Sequence, residues 1–144
     1  MNEKHSPKIR LEIESRLENT YLIGLYIKTL ARDLKLDNEQ TYLVELAVIE
    51  AINNVIMHAY ESQTGNPVTV EIIIEEDEII FQIFDNGKSM QRSDVQDLCF
   101  DPSDKSSYPE QGMGLTIMKK SMDKIEYKVM KDKNQLTMIK KLLK

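Results

Sequence analysis

Between Tyr42 and Tyr60 the chain is apolar except at Glu45, Glu50, Asn53, Asn54 and His58, so a helix here is oily on nearly every side and has to be buried against other elements. At about 100° per residue, Leu43, Leu46, Glu50, Asn54 and Met57 fall in one sector, which predicts that Glu50 and Asn54 interrupt a core face and point inward. An ionised carboxylate in such a place is strongly unfavourable unless something compensates it. A bound polar ligand or metal ion is the compensation expected.

The surrounding pattern sets the fold class. Asp37 followed by Gln40 has the form of a capping box, so the buried helix is expected to begin near Asn38 and to end near Glu61, ahead of the Gly65-Asn66-Pro67 breaker. Upstream, Ile9, Leu11 and Ile13 alternate with Arg10, Glu12 and Glu14, the period of a half-exposed strand. Ile23, Ile27, Leu30 and Leu34 then repeat at helical spacing from about Asn19 to Lys35. Downstream, a hairpin is expected from Val68 to Glu75 and from Glu78 to Phe84, across a tight acidic turn. Residues 86 to 111 are rich in Ser, Asp, Pro and Lys, with at best a short helix around Val95; a connection of that length within a compact domain is usually functional or mobile. After Gly112-Met113-Gly114, a helix to about Met122 leads into a second hairpin, Ile125 to Met130 and Leu136 to Leu142, turning at Asp132-Lys133-Asn134. This order predicts an α+β fold in one domain over residues 1–144. Its form is a two-layer α/β sandwich whose mixed, mostly antiparallel sheet carries helices on one face.

Charge and composition exclude several functions. The net charge is −5, yet residues 119–144 hold nine lysines against Asp123, Glu126 and Asp132, a local +6. A nucleic-acid surface would add interleaved aromatics and a basic total. Tyr127 alone is aromatic in this stretch, so a solvated helix and edge strand are expected, with no direct nucleic-acid partner. Cys99 is the single cysteine, which excludes an intrachain disulfide and a thiolate zinc cluster and suits a reducing cytosol. The first twenty residues lack the apolar core of a signal peptide, and the polar groups of the 42–60 run argue against a membrane span. A cytoplasmic chain without a membrane partner is expected.

Three pieces need a common explanation: the Glu50/Asn54 helix, Asp85-Asn86-Gly87 at a strand end, and Gly112-Met113-Gly114 opening a helix. Each alone is weak, since GxG opens helices in proteins that bind nothing and Asp-Asn-Gly after a strand is commonly only a turn. Parity strengthens the second. Ile79, Phe81, Ile83 and Asp85 share a strand face, so the carboxylate emerges from an apolar wall where a purine could lie. Gly112 and Gly114 let the backbone approach a phosphate, and the helix that follows offers free N–H groups and the positive end of its dipole. There is no Walker A sequence, which excludes a P-loop site.

In order and spacing, VIEAINNVIMHAY, FQIFDNG and GMGLTIMKKSMD resemble the N, G1 and G2 boxes of the GHKL superfamily of ATPases and kinases. Within that superfamily the chain resembles, over nearly its whole length, the small bacterial anti-sigma-factor serine kinases of the sporulation and general-stress switches. The resemblance implies a Bergerat-type ATP-binding fold with a flexible lid over about residues 88–111. It implies an ATP- and Mg²⁺-dependent serine/threonine protein kinase, expected to be a homodimer, that binds a sigma factor and phosphorylates an anti-anti-sigma antagonist.

Residue by residue, the resemblance makes Glu50 the catalytic group that polarises the attacking hydroxyl and Asn54 the holder of Mg²⁺. Asp85 would accept a hydrogen bond from the exocyclic amine of adenine, with Gly87 leaving space for the ring. Gly112, Met113 and Gly114 would lie beside the phosphates. Lys105 would reach the terminal phosphates from the lid, or else be a solvated loop lysine. His58 fits the pattern without a role that can be derived. Three departures stand out: Ser89 in place of a second G1 glycine, Glu110-Gln111 before the G2 glycines, and no glycine in Asp132-Lys133-Asn134-Gln135. They motivate the alternative of a nucleotide-binding regulatory module that sequesters a partner without productive kinase turnover.

Overall fold

The computed structural model describes residues 6–98 and 118–142. In chain order these are β1 (Lys8–Glu14), α1 (Leu17–Asp33), α2 (Asn38–Asn54), a π-helical turn (Val55–Ala59), β2 (Pro67–Ile74), β3 (Glu78–Asp85), α3 (Arg92–Leu98), a helical stretch at 118–121, β4 (Lys124–Val129) and β5 (Asn134–Lys141). The sheet runs β1-β2-β3-β5-β4 with every neighbouring pair antiparallel, the limiting case of the mostly antiparallel sheet expected. The connections explain this. α1 and α2 pack as a helical hairpin that returns the chain, so β2 runs against β1. β3 and β4 run the same way, but β5 lies between them and takes the hydrogen bonds of both.

Alternation in the strands decides the inner face. β1 sets Ile9, Leu11 and Ile13 opposite Ile72, Val70 and Val68, and the row continues through Phe81 and Ile83 to Met138 and Leu136. Onto this surface α2 and the π turn lay Val44, Ala47, Val48, Ala51, Ile52, Val55 and Ile56, all buried. The stripe differs from the one expected. Leu43, Leu46, Glu50 and Asn54 are only half-buried beside it, and Met57 is exposed. A helix that is apolar nearly all round leaves the phase of its buried face open, and the phase adopted buries the small Ala47 and Ala51. Glu50 and Asn54 therefore stand at the margin of the core, within reach of solvent, rather than inside it.

The helix begins where expected, with the Asp37 side chain accepting the Gln40 N–H at 2.7 Å. α1 crosses α2 at Gly24, where a β-carbon would come within 2.8 Å of the Ile49 side chain. By length and composition the continuous helix Asn38–Ala59 is also apolar enough to cross a membrane, contrary to the expectation that its polar groups forbid it. Here its buried stripe packs on the sheet, as the core helix of an α/β sandwich does.

Candidate functional site

Strand parity delivers the first functional group. β3 buries Ile79, Phe81, Ile83 and then Asp85, so a carboxylate ends an otherwise apolar row at 7% exposure. Directly across the ladder stands Asn134, the first residue of β5 and equally buried. Its amide Nδ2 donates to Asp85 Oδ1 at 2.9 Å and to the Gly87 carbonyl at 3.1 Å. The Gly87 N–H donates to the same Asp85 Oδ1 at 2.9 Å. Among the described residues, Asp85 Oδ2 receives no donor and remains the free acceptor of the site. Burial pushes the Asp85 carboxyl above its ordinary range, against the opposing pull of these two hydrogen bonds.

The turn that carries Asp85 is fixed to the end of the buried helix. At Val55 the helix widens, the Tyr60 N–H bonding the Val55 carbonyl at 3.0 Å, and the widened turn directs the Ala59 carbonyl toward β3. That carbonyl accepts the Lys88 N–H at 2.9 Å, and a β-carbon on Gly87 would fall 2.5 Å from it. The Tyr60 hydroxyl accepts the Asn86 N–H at 2.9 Å and meets the Pro67 carbonyl at 2.5 Å. Gly87 is thus required by the approach of the helix backbone, whereas the resemblance assigned its missing side chain to space for a ring. Replacing Gly87 by alanine is expected to destabilise the fold by about 1–3 kcal/mol, because the nearest clashing atoms, the Ala59 carbonyl, are backbone and cannot swing aside. Urea denaturation measures this, and a midpoint equal to that of the parent would contradict it.

Between the π turn and the ends of β3 and β5 lies a cavity of about 560 Å³, the size of a small-molecule site. Among its polar groups are Asn54, His58, Asp85 and Lys88, with Glu61 and Asp94 as further carboxylates, and Val55 and Leu136 are among the apolar ones. The structure therefore brings Asn54 and Asp85 together. Glu50 stands one helical turn beyond Asn54, half-buried and outside the cavity lining. Lys88, unnoticed in the sequence, and the exposed His58 both face the cavity. Gly112, Met113, Gly114, Lys105, Glu110 and Gln111 lie outside the described residues.

Asn134 was expected in a turn; the turn instead closes between Met130 and Lys133, and Asn134 enters the ladder. A signal was available, since extending the inward alternation of Met138 and Leu136 back one step reaches Asn134. Two departures from the family pattern also prove to be partners: the Ser89 hydroxyl donates to Asn134 Oδ1 at 2.7 Å. The side chain that replaces a glycine holds the amide that occupies the glycine-lacking stretch. As to metal, no group of three or more His, Cys, Asp or Glu is placed to hold an ion among the described residues. An ion at Asn54 would rest on one amide oxygen together with phosphate oxygens and water, a donor set that suits Mg²⁺.

Comparison with known proteins adds independent findings. Residues 13–140 match the family described as the histidine kinase-like ATPase domain. An anti-sigma F factor of Clostridium perfringens (strain ATCC 13124) is 30% identical over 135 residues, covering 93% of this chain and 95% of that protein. One from Clostridium acetobutylicum is 28% identical over 136 residues, covering 93% and 92%. Among solved structures, the RsbU and RsbW domains of Rv1364c from Mycobacterium tuberculosis superpose with a TM-score of 0.65 at 10% identity, over 93% of this chain and 32% of that one. The SiaB-SiaC complex from Pseudomonas aeruginosa gives a TM-score of 0.64 at 16% identity, over 92% and 88%. At such identities the structural likenesses bear on the fold alone.

Proposed function

This chain belongs to the histidine kinase-like ATPase domain family, and from that premise we propose that it is an ATP-dependent anti-sigma-factor kinase. In this reading it binds a sigma factor in the cytoplasm and phosphorylates a serine or threonine of an anti-anti-sigma antagonist. The observation that carries the reading is the convergence of Asp85 and Asn54 on one cavity, the first with one carboxylate oxygen that takes no hydrogen bond from the described residues. Adenine is read at the Asp85 end, its exocyclic amine donating to Oδ2. Back along the helix from the π turn that carries His58, Asn54 and Glu50 stand one four-residue step apart, roughly 6 Å in an α-helix. They lead from the base toward the phosphates.

Mg²⁺ held there would supply neutralisation of the charge that develops on transfer. The chain contributes the Asn54 side-chain oxygen as a ligand, and the Glu50 carboxylate takes the proton of the attacking hydroxyl. Gly112, Met113 and Gly114 are assigned to the phosphate side, and Lys105 to a lid spanning about residues 88–111 of one ATPase domain. The working unit is a homodimer.

The test is to incubate the purified chain with labelled Mg-ATP and candidate sigma-factor and antagonist pairs, then locate any phosphate by mass spectrometry. Label on a serine or threonine of the antagonist is the expected result. Nucleotide at a hundredfold its Kd should also add about 2.7 kcal/mol of stability. The position of Glu50 outside the cavity lining favours one second reading, a nucleotide-dependent sequestering module. That reading predicts the stabilisation and partner capture with no label transferred; absence of both stabilisation and transfer would remove the two readings together.

A further inference from the structure

Asn134 opens β5 with a neighbour on each side, Asp85 of β3 and Val129 of β4, so its backbone is held from two directions. Its side chain is buried, and both amide hydrogens are engaged, one by Asp85 Oδ1 at 2.9 Å and one by the Gly87 carbonyl at 3.1 Å. Both partners are acceptors, so the amide has one orientation; turned over, its oxygen would face a carboxylate and a carbonyl. The oxygen is left to the other side, where it accepts the Ser89 hydroxyl at 2.7 Å.

Ser89 is itself held in place. Before it, the Lys88 N–H bonds the Ala59 carbonyl of the π turn at 2.9 Å; after it, the Met90 N–H bonds the Tyr127 hydroxyl of β4 at 3.1 Å. The same tyrosine hydroxyl interacts with the Ser89 side chain. An exposed serine between two anchors thus starts a chain of hydrogen bonds that runs from Ser89 through Asn134 to Asp85. Linked bonds polarise one another, and an amide whose oxygen accepts a hydroxyl is a stronger donor at its nitrogen.

What this chain fixes is the carboxylate. Asp85 Oδ1 takes two donors, from Asn134 and from the Gly87 N–H, whereas Oδ2 takes none from the described residues. The group cannot turn over without breaking both bonds at once. With its two N–H groups engaged, Asn134 has no donor left for a ligand, so whatever it does for binding it does through Asp85.

We propose that Ser89 and Asn134 are positioning residues that keep Asp85 Oδ1 occupied and present Oδ2 to the base, and so set how strongly the site prefers a purine that carries an exocyclic amine. This deepens the reading of the cavity as an ATP site and rests on it. Ser89 and Asn134 then act as one unit, and two departures from the family pattern sharpen base reading together.

The test is calorimetric titration of the full chain with Mg-ATP and with the Mg²⁺ complex of purine riboside triphosphate, which is ATP without the exocyclic amine. The parent should prefer ATP by about tenfold or more, the loss expected when a charged acceptor goes unpaired. Ser89→Ala should cut that preference by about three- to tenfold, the worth of a neutral hydrogen bond, while affinity for the amine-free analogue stays at the parental value. Ser89→Thr, which keeps the hydroxyl, should keep the preference. In an Asn134→Ala background, Ser89→Ala should add nothing further; the exposed Ser89 variants decide the matter by themselves if that buried change prevents folding. A parent that binds both nucleotides equally would overturn base reading at Asp85 and this proposal with it. A parent that discriminates, with Ser89→Ala either discriminating equally well or losing both nucleotides in proportion, would overturn the positioning role and leave the base reading standing.

Discussion

Replacing Asp85 by asparagine is expected to weaken ATP binding by about 10- to 100-fold, the loss associated with a hydrogen bond to a charged acceptor. The asparagine oxygen can keep the two donors that Asp85 Oδ1 now receives, from the Gly87 N–H and from Asn134. Its amide then stands in place of Oδ2, which takes no hydrogen bond from the described residues, and on the proposed reading a donor would face the donor amine of adenine. Guanine presents a carbonyl at that position, so the variant should lose ATP while gaining relative preference for GTP. Isothermal titration with both nucleotides measures this. Equal ATP affinity in parent and variant would mean that the base is not read at Asp85.

The same substitution has a second signature with the opposite sign. Burial raises the Asp85 carboxyl above its ordinary range, so the folded chain holds this proton more tightly than the unfolded chain does. Stability from this group is therefore greatest below the unfolded value, falls as pH rises through the raised folded value, and is lower on a plateau beyond it. Asparagine does not titrate. Relative to the parent, the variant should gain thermal stability as pH is raised from the acid side of that window to neutrality, even as it loses the nucleotide. A residue present only to hold the fold would show no such opposition.

How far the site was legible follows from the kind of signal each residue gave. A period of two survives in a strand with one buried face, so Asp85 could be placed on the inner wall from Ile79, Phe81 and Ile83 alone. The helix gave its caps and its length but not its phase. With apolar residues on nearly every side, several stripes fit equally, and the one that packs includes the small Ala47 and Ala51. Asn134 was obscured by a turn signal. Asp132-Lys133-Asn134 has turn composition, yet the chain closes one residue earlier, and the cross-strand bond to Asp85 joins positions 49 apart in sequence. Gly87 was recognised as a glycine that must be one, for another reason than the one found: the atoms that exclude a side chain belong to Ala59 and Tyr60, which no local pattern connects to it.

The largest effect is expected at Glu50. If its carboxylate takes the proton from the attacking hydroxyl, Glu50→Gln should lower phosphoryl transfer to the antagonist by roughly 10²- to 10⁴-fold, the range for loss of a general base. The change is isosteric and the side chain is half-buried outside the cavity lining, so ATP affinity and the denaturation midpoint should stay near those of the parent. Single-turnover transfer measured beside nucleotide titration separates the two effects. A fall in transfer with affinity intact identifies a group that acts only on the reacting atoms, since uniform loss of binding would raise KM and spare kcat. The contrast with Asn54 sharpens the test. Asn54 lies on the cavity wall one turn closer to Asp85, so Asn54→Ala should instead weaken Mg²⁺-dependent binding of ATP along with transfer. Transfer at the parental rate in the Glu50 variant would move the base elsewhere, and with no transfer in the parent either, the sequestering module becomes the better account of the same cavity.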